Sequence, residues 1–200
     1  MDITVVILAA GKGTRMGAIK QLLPYKNSNL LQNIIQQALR SGANHVSCVI
    51  GANREVIEKM IDNNNVTIIN NPKWEHGLSS SISEAVSYLK TLKPLPDGVL
   101  FLLADQPYVD SDYINGIMDC FRNNNEKIIA STYENGNGVP ALFPVVYFDE
   151  LLKLKGDKGA KLFLKKNQGN VIGFKSKSKN RLFDVDTPED YNTLVNRKPE

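Results

Sequence analysis

The chain has 200 residues, of which 42% are hydrophobic and 22% are charged, and its formal net charge is +3. This composition is typical of a globular protein with a sizeable core, and the charge is too small to indicate a nucleic-acid partner by itself. The two cysteines form no CxxC pair, and no apolar run approaches the roughly 20 residues that span a membrane. We therefore expect one domain over residues 1–200, located in the cytoplasm, with no nucleic-acid or membrane partner.

Apolar segments alternate with amphipathic segments along the first two-thirds of the chain. Strands are predicted for TVVILAA from Thr4, HVSCVIG from His45, VTIIN from Val66, GVLFLLA from Gly98 and KIIAST from Lys127. Helical periodicity covers residues 30–40, 55–61, 82–92 and 113–121 between them. Apolar strands separated by amphipathic helices predict an α/β fold of three layers, with a mainly parallel sheet covered on both faces. In such a sheet, ligands bind at the carboxyl ends of the strands.

The elements become shorter after Pro140. A helix is predicted over residues 160–166, and two strands are predicted for NVIGF and RLFDVD. A last helix begins in TPEDY, with Thr187 as its N-cap and Pro188 as its first residue. We interpret these elements as a lobe on the same sheet.

The first strand runs into a loop rich in glycine and positive charge, in the segment VILAAGKGTRMGAIKQLLPY from Val6 to Tyr25. Glycines let the backbone approach an anion closely, and lysine and arginine neutralise its charge. The phosphate loop GxxxxGK[ST] is excluded, because Val6 stands where its first glycine would be. A different kind of phosphate site is therefore needed.

The dinucleotide pattern GxGxxG does not fit this loop either. Gly11, Gly13 and Gly17 are spaced as GxGxxxG, and that pattern also requires an acidic residue about 20 positions later to bind the ribose. No Asp or Glu lies between Asp2 and Glu55. A polyphosphate suits this wholly basic stretch better than a dinucleotide does.

Asp105 is the first charged residue after the predicted strand GVLFLLA. A carboxylate facing the basic loop would repel phosphate unless a cation lay between them, and Mg2+ binds through carboxylates together with substrate phosphates. Two roles stay open for Asp105, a metal ligand or a cap of the turn that Pro107 stiffens. Asp184 and Asp186 flank Val185 in a predicted strand, so both carboxylates share one face. One of them can meet Asp105 across a metal ion.

Three consecutive serines, Ser79 to Ser81, follow Gly77 at a predicted helix start. Ser81 and Glu84 form an S-x-x-E capping box, which explains one serine by local structure alone. Three serines exceed that need. A site for a base edge or a ribose at this helix start is the alternative.

A second helix start is predicted in KGDKGAKLFL. Asp157 is interpreted as its cap, with Gly159 and Lys161 in the first turn. A helix N-terminus with a nearby lysine is a place where a second anion can dock.

With Asp105 and Asp186, the first loop resembles nucleotidyltransferase families that use an LAxGxGTRM-type loop. The compact RMGAIK, from Arg15 to Lys20, is similar to the MobA-like NTP transferases that modify the molybdenum cofactor. The likeness extends through LLPY, NPKWEHGLSSSI, LLADQP, GVPALF, GDKGAK and DVDTPEDY, and is greatest to the cytidylyltransferases of molybdenum cofactor. One departure is Val139 before Pro140, where several cytidylyl members have histidine.

The resemblance implies a Rossmann-like nucleotidyltransferase fold with a mainly parallel mixed sheet, and a Mg2+-dependent transfer. A nucleoside monophosphate would pass from an NTP to the phosphate of a small acceptor, with release of pyrophosphate. CTP and molybdopterin are the expected substrates, and a molybdoenzyme or its chaperone is an expected transient partner. In the resembling families the guanylyl branch carries two glycines where this chain has Ala10 and Gly11, so Ala10 indicates CTP rather than GTP.

The residues implied for each role follow from the matching motifs. The catalytic residues are Arg15, Lys20, Asp105 and Asp186, and the two aspartates are also the metal ligands. The nucleotide-binding residues are Leu8, Ala9, Ala10, Gly11, Gly13, Arg15, Lys20, Gly77, Ser80 and Ser81. The acceptor-binding residues are Gly138, Pro140, Asp157, Gly159 and Lys161. Two alternatives stay open: transfer to a sugar or polyol phosphate, and a non-catalytic nucleotide sensor, which would not need both carboxylates.

Overall fold

The computed structural model describes residues 1–61, 65–156, 159–178 and 180–197. Its strands are β1 (Ile3–Leu8), β2 (Pro24–Tyr25), β3 (Ser28–Asn29), β4 (His45–Ile50), β5 (Val66–Asn70), β6 (Gly98–Leu103), β7 (Ile128–Tyr133), β8 (Gly136–Pro144) and β9 (Val171–Phe174). Its α-helices are α1 (Leu30–Arg40), α2 (Arg54–Met60), α3 (Leu78–Leu89), α4 (Ser111–Arg122), α5 (Phe148–Leu151), α6 (Gly159–Lys166) and α7 (Pro188–Asn196). Within these described ranges, no helix has the length and apolar character needed to cross a membrane.

Seven strands form one mixed sheet in the order β5-β4-β1-β6-β8-β7-β9, and β2 pairs with β3 in a separate two-stranded ribbon. Strands β5, β4, β1 and β6 are parallel neighbours, β8 is antiparallel to β6 and β7, and β9 is parallel to β7. The register sets Leu8 of β1 opposite Val49 of β4 and Leu103 of β6. The loops that follow β1 and β6 therefore leave the sheet side by side.

Helices cover both faces of the sheet, because the central strands are apolar on both sides. All six residues of β1 are buried. Ile7 belongs to an apolar cluster that includes residues of α1 and α4, whereas Val6 belongs to a second cluster that includes residues of α3 and α6. Each buried aliphatic side chain of this size contributes about 1.5–3 kcal/mol relative to exposure. The predicted three-layer α/β fold with a mainly parallel mixed sheet is confirmed, and its packed centre holds the carboxyl edge of β1 and β6 in place.

Two of the predicted elements are wrong. RLFDVD is no strand, because residues 181–186 run in turns and irregular structure, and the Val185 amide donates to the Asp105 carbonyl at 3.0 Å instead of to a sheet neighbour. Helix α3 begins at Leu78, so Ser81 lies inside the helix and cannot form the predicted capping box. Helix α7, by contrast, has Thr187 as its N-cap, with a complete capping box to Asp190.

Candidate active site

The carboxyl ends of β1 and β6, the loop after β1 and the segment before α7 enclose a cavity of about 230 Å3. Its lining residues are Leu8, Ala9, Gly11, Gly13, Thr14, Arg15, Lys20, Gln21, Leu78, Leu103, Ala104, Asp105 and Asp186. The sheet thus gathers at this cavity four charged residues from three separate parts of the sequence, Arg15, Lys20, Asp105 and Asp186. All four were predicted from the sequence.

The loop after β1 has the backbone shape that its glycines permit. Gly13 and Gly17 both have a φ of 64°, in the left-handed region, and they flank a single 3-10 turn, Thr14–Met16. A side chain at Gly13 would also come within 3.1 Å of the Lys20 Cβ. At Gly11, an added Cβ would meet no described atom within 4 Å. Packing therefore explains Gly13, whereas Gly11 leaves open space beside its backbone, where a ligand can approach.

The buried side chain of Gln21 holds the loop after β1 in place. Gln21 is 3% exposed, and its Nε2 donates to the carbonyl oxygens of Ala9 at 2.8 Å and Gly11 at 2.7 Å. Two carbonyls of the loop are thereby turned towards the protein interior. A buried amide that satisfies two backbone acceptors restricts the conformations of the loop, since breaking either bond would leave a polar group unpaired.

The charged side chains meet at one point. The Lys20 Nζ donates to Asp105 Oδ2 at 2.6 Å and to Asp186 Oδ1 at 3.0 Å. Arg15 reaches the other oxygen of Asp186, with 3.2 Å between its Nη2 and Oδ2. The Lys20 side chain is only 15% exposed, whereas that of Arg15 is 68% exposed. Lys20 is thus a largely buried cation between two carboxylates, and Arg15 is an exposed cation at the rim of the cavity.

The surroundings of Lys20 keep it charged. Burial by itself would lower the pKa of Lys20, but the charges and hydrogen bonds of Asp105 and Asp186 outweigh burial and raise the pKa above 10.5. Nearby, desolvation and the negative charge of Asp105 raise the pKa of the Asp184 carboxyl to about 6, although the Asp184 residue as a whole is exposed. Negative charge is therefore concentrated on this side of the cavity, and a cation stabilises it.

The carboxylates of Asp105 and Asp186 have the chemistry of a Mg2+ site. Both lie within 3.0 Å of one nitrogen atom, so they converge on a single point. Asp105 Oδ1 is buried and has no hydrogen-bond partner in the described ranges, which leaves an acceptor unused. No group of three or more His, Cys, Asp or Glu in those ranges is placed to hold a metal. Two carboxylates nevertheless fit Mg2+, because phosphates and waters complete its coordination in phosphoryl-transfer sites.

Four of the predicted nucleotide-binding residues do not line the cavity. Ala10 is 3% exposed, and its methyl group lies beside Gly51, in the apolar cluster against which Trp74 packs. Gly77 caps α3 with a φ of 84°. The remaining two are Ser80 and Ser81, whose hydroxyls accept hydrogen bonds from Asn71 Nδ2 at 2.8 and 3.0 Å.

The two serines thus have a structural role in this arrangement. Asn71 is fully buried, and its amide group connects the end of β5 to the first turn of α3. Ser80 also donates to the Gly77 carbonyl at 2.8 Å. A base or ribose that used either hydroxyl would compete with these hydrogen bonds. Nucleotide binding by Ser80 and Ser81 stays a prediction, and it would require these hydrogen bonds to be broken or shared.

The predicted acceptor residues that the structure describes are not among the residues that line the cavity. Gly138 and Pro140 are in β8, and a Cβ at Gly138 would come within 2.9 Å of the Tyr133 ring, so packing explains this glycine. Gly159 is the first residue of α6 and Lys161 is exposed two positions later. The other predicted acceptor residue, Asp157, lies outside the described residues.

Two glutamines were missed by the sequence reasoning. Gln21 holds the loop, and Gln106 is 1% exposed and donates to Asp184 Oδ1 at 2.8 Å and to the Tyr133 hydroxyl at 2.9 Å. Tyr133 in turn donates to the Val139 carbonyl. Gln106 therefore connects the carboxylate segment to β8, where Gly138 and Pro140 lie. One feature of the sequence could have indicated them: each glutamine directly follows a charged site residue and precedes a leucine or a proline.

The model of the MobA-like NTP transferase domain family matches residues 5–171. The chain belongs to this family. Purine catabolism protein PucB from Bacillus subtilis is 31% identical to the chain over 198 residues, which cover 94% of each protein. Family membership confirms the resemblance inferred from the loop and its partner motifs. The chain is thus a nucleotidyltransferase of the MobA-like family, which uses a nucleoside triphosphate and a phosphorylated acceptor.

Solved structures of similar proteins agree with this assignment. Rv0371c from Mycobacterium tuberculosis superposes with a TM-score of 0.85 at 26% identity, over 98% of this chain and 99% of that one. Rv0371c has also been solved in complex with manganese, with a TM-score of 0.80 to this chain. Molybdopterin-guanine dinucleotide biosynthesis protein A from Archaeoglobus fulgidus has a TM-score of 0.72 at 14% identity, over 96% of both chains, which shows a shared fold. Manganese is therefore bound by a protein that shares this fold, and the pair of carboxylates in this chain has the chemistry to bind such a metal.

Proposed function

We propose that this chain transfers a cytidylyl group from CTP to the phosphate of molybdopterin or molybdenum cofactor, with release of pyrophosphate. The observation that carries the proposal is the convergence of Lys20 with Asp105 and Asp186 beside the glycine loop. A nucleotide sensor would need the loop but not two carboxylates held at one point. The paired carboxylates therefore favour an enzyme.

The proposed reaction is an in-line displacement at the α-phosphorus of the NTP. An oxygen of the acceptor phosphate forms a bond to this phosphorus while the bond to the bridging oxygen breaks, and the bonding electrons leave with pyrophosphate. An acceptor phosphate is already ionised at neutral pH, so it needs little help from a general base. Catalysis then depends on positioning and on stabilisation of charge. This accounts for a site that contains lysine, arginine and carboxylates as its charged groups.

The loop residues would hold the triphosphate. Gly11 has open space beside its backbone, and Gly13 gives the loop its turn. Arg15 is exposed enough to turn towards a phosphate oxygen. We propose that Lys20 exchanges its carboxylate partners for phosphate oxygens when the nucleotide binds. The side chain would then neutralise the carboxylates in the free protein and the triphosphate in the nucleotide complex.

Asp105 and Asp186 would hold Mg2+, which supplies positive charge to the α-phosphate and to the departing pyrophosphate. The Val185 amide, which donates to the Asp105 carbonyl, supports this pairing because it ties the two carboxylate segments together. Asp186 is further restrained, since its own amide donates to Asp190 Oδ2 at 3.1 Å. Each carboxylate is therefore positioned by its neighbours and needs little reordering to bind a metal ion.

The proposal also specifies which base is selected and where the acceptor binds. Ala10 supports CTP. Because its buried methyl group lies beside Gly51, it would act by shaping the apolar wall behind the base. The acceptor is proposed to lie towards Gly138 and Pro140, which Gln106 and Tyr133 connect to the carboxylates. A molybdoenzyme or its chaperone is the proposed partner, and the name of PucB, a purine catabolism protein, favours a client that acts on purines.

The test is pyrophosphate release with four NTPs, each paired with molybdenum cofactor, a sugar 1-phosphate and a polyol phosphate. The proposal expects release that depends on a divalent metal and is fastest with CTP and molybdenum cofactor, and a product whose mass is the sum of acceptor and CMP. If pyrophosphate release were fastest with a sugar or polyol phosphate, that compound would be the acceptor instead of molybdenum cofactor. Binding of NTP without release from any pair would support the sensor instead.

A further inference from the structure

A second cavity, of about 880 Å3, lies outside the site described above. Three stretches of chain form its main walls, at residues 24–26, 107–110 and 191–197. Each stretch follows a charged residue of the active site, namely Lys20, Asp105 or Asp186. The two cavities nevertheless share no lining residue. The larger cavity is therefore a separate place for a ligand, and no step of the proposed transfer uses it.

Three tyrosines line this cavity, Tyr25, Tyr108 and Tyr191, and all are partly buried. Tyr191 donates its hydroxyl hydrogen to the Pro24 carbonyl at 2.7 Å. The hydroxyls of Tyr25 and Tyr108 have no hydrogen-bond partner in the described part of the chain. Both tyrosines line this cavity and pack against the same apolar cluster, which includes Val185. Burial and the adjacent Tyr108 raise the pKa of Tyr25. The cavity thus offers flat aromatic surface and two unused O–H donors.

The charge of the cavity is positive. Arg181 is paired with Asp110 and also donates to the Tyr108 carbonyl at 2.7 Å, so its charge is compensated. Lys26 and Arg197 form no ion pair with any described residue. Each lies over an aromatic ring instead, with the Lys26 ammonium 5.1 Å from the centre of the Tyr25 ring and the Arg197 guanidinium 5.2 Å from that of Phe183. Among the residues that the structure describes, these two cations at the rim therefore have no ion-pair partner.

We propose that this cavity binds a small planar ring compound that carries a phosphate or carboxylate group. The ring would stack on the tyrosines, and the anionic group would be bound by Lys26, Arg197 and the free phenol donors. Its volume lies within the range of about 300–1,000 Å3 that is typical of small-molecule sites. Bases that stack on aromatic side chains strengthen nucleic-acid complexes, so a ring should bind more tightly here than an anion without one.

Two sources supply this chemistry, a nucleotide and an anionic pterin. They are distinguished by titration of AMP, CMP and 6-carboxypterin, each followed by calorimetry, with pyrophosphate as an anion without a ring. Each titration is run on the Arg15→Ala protein, whose nucleotide site is weakened while this cavity is intact. The proposal expects at least one ring compound to bind about tenfold more tightly than pyrophosphate.

Two sets of variants test the location. The double variant Lys26→Ala/Arg197→Ala should weaken binding of the ring compound by about tenfold, whereas the matched double variant Lys59→Ala/Lys153→Ala, which removes two exposed lysines elsewhere, should not. Tyr108→Phe keeps the ring and removes only the hydroxyl, and should weaken binding by about threefold. The proposal is overturned if no ring compound binds at millimolar concentration or if both double variants behave alike. It is also overturned if the binding that is lost in Lys26→Ala/Arg197→Ala is as tight for pyrophosphate as for every ring compound.

Discussion

Replacement of Lys20 by methionine should separate the two roles proposed for this side chain, which are to neutralise the carboxylates and to neutralise the triphosphate. The change removes the ammonium that bridges Asp105 and Asp186 at 2.6 and 3.0 Å, while a chain of similar length keeps the cavity wall filled. Mn2+ would then no longer compete with a bound cation for the carboxylates. We therefore expect the variant to bind Mn2+ more tightly than the wild type in the absence of nucleotide, and to transfer the nucleotidyl group more slowly.

The expected magnitudes follow from the two contacts. A hydrogen bond to a charged group contributes about 1.5–3 kcal/mol, and the 39% exposure of the Asp186 side chain weakens the second contact through solvent screening. Loss of the competing ammonium should strengthen Mn2+ binding by about tenfold, which is about 1.4 kcal/mol. Loss of a charged group that stabilises the transition state should lower the rate by about 100- to 1,000-fold.

The assay measures free Mn2+ by electron paramagnetic resonance and turnover by pyrophosphate release on the same preparations. Lys12→Met is the matched control, because Lys12 is an exposed lysine of the same loop with no ion pair to a described residue. It should leave Mn2+ binding unchanged within about twofold. If Lys20→Met binds Mn2+ no better than the control does, the carboxylate pair is not the metal site, and the reasoning is refuted.

The same variant has a pH signature. The pKa of Lys20 is raised above 10.5 in the folded state, so its ion pairs stabilise the wild type fully below pH 10.5, and this stability is lost as the pH rises through the raised pKa. The free energy of unfolding should therefore fall more steeply above pH 10.5 in the wild type than in Lys20→Met. Equal slopes in chemical denaturation at these pH values would argue that the bridge contributes nothing to stability.

Three further predictions address the loop and the base. Arg15→Ala should raise the KM for the NTP and lower the rate, whereas Lys177→Ala should change neither, and equal small effects in steady-state kinetics would show that only the general positive field matters. Gln21→Leu should lower the free energy of unfolding by roughly 1–3 kcal/mol and raise the KM for the NTP, because the carbonyls of two loop residues lose their donor; unchanged denaturant midpoints would contradict this role. Ala10→Gly should move the ratio of kcat/KM for CTP and GTP towards GTP by about 10-fold or more, and no movement would remove Ala10 from base selection.

The sequence predicted the framework of the site well, because the framework depends on periodicity and on where strands end. The alternation of apolar and amphipathic segments predicted β1 and β6, and parallel strands bring their carboxyl ends to one edge. The loop after β1 and the residues after β6 therefore lie side by side, which brings Lys20 near Asp105. The sequence could not say that Lys20 would bridge both carboxylates, since that contact depends on the turn of the loop around Gly13.

The errors have a common physical origin in hydrogen bonds that join different elements of the fold. Val185 bonds to Asp105 and not to a sheet neighbour, so the predicted strand around it does not form. The hydroxyl of Ser81 accepts from Asn71, ten positions earlier in the chain, which a local capping pattern cannot reveal. Gln21 and Gln106 were missed for the same reason, because a buried glutamine is recognised only through the partners that the fold brings to it.

The most direct test of the central claim is the rate of CMP transfer from CTP to molybdenum cofactor by the wild type and by Asp105→Asn, measured with saturating Mg2+ alongside thermal melting of both proteins. We expect transfer by the wild type. In the variant we expect a rate below about a tenth of the wild-type rate together with cooperative melting, since that loss corresponds to at least ~1.4 kcal/mol of transition-state stabilisation. A folded Asp105→Asn protein that keeps more than this fraction of the rate, or a wild type that releases no pyrophosphate with any NTP and phosphorylated acceptor, would contradict the central claim.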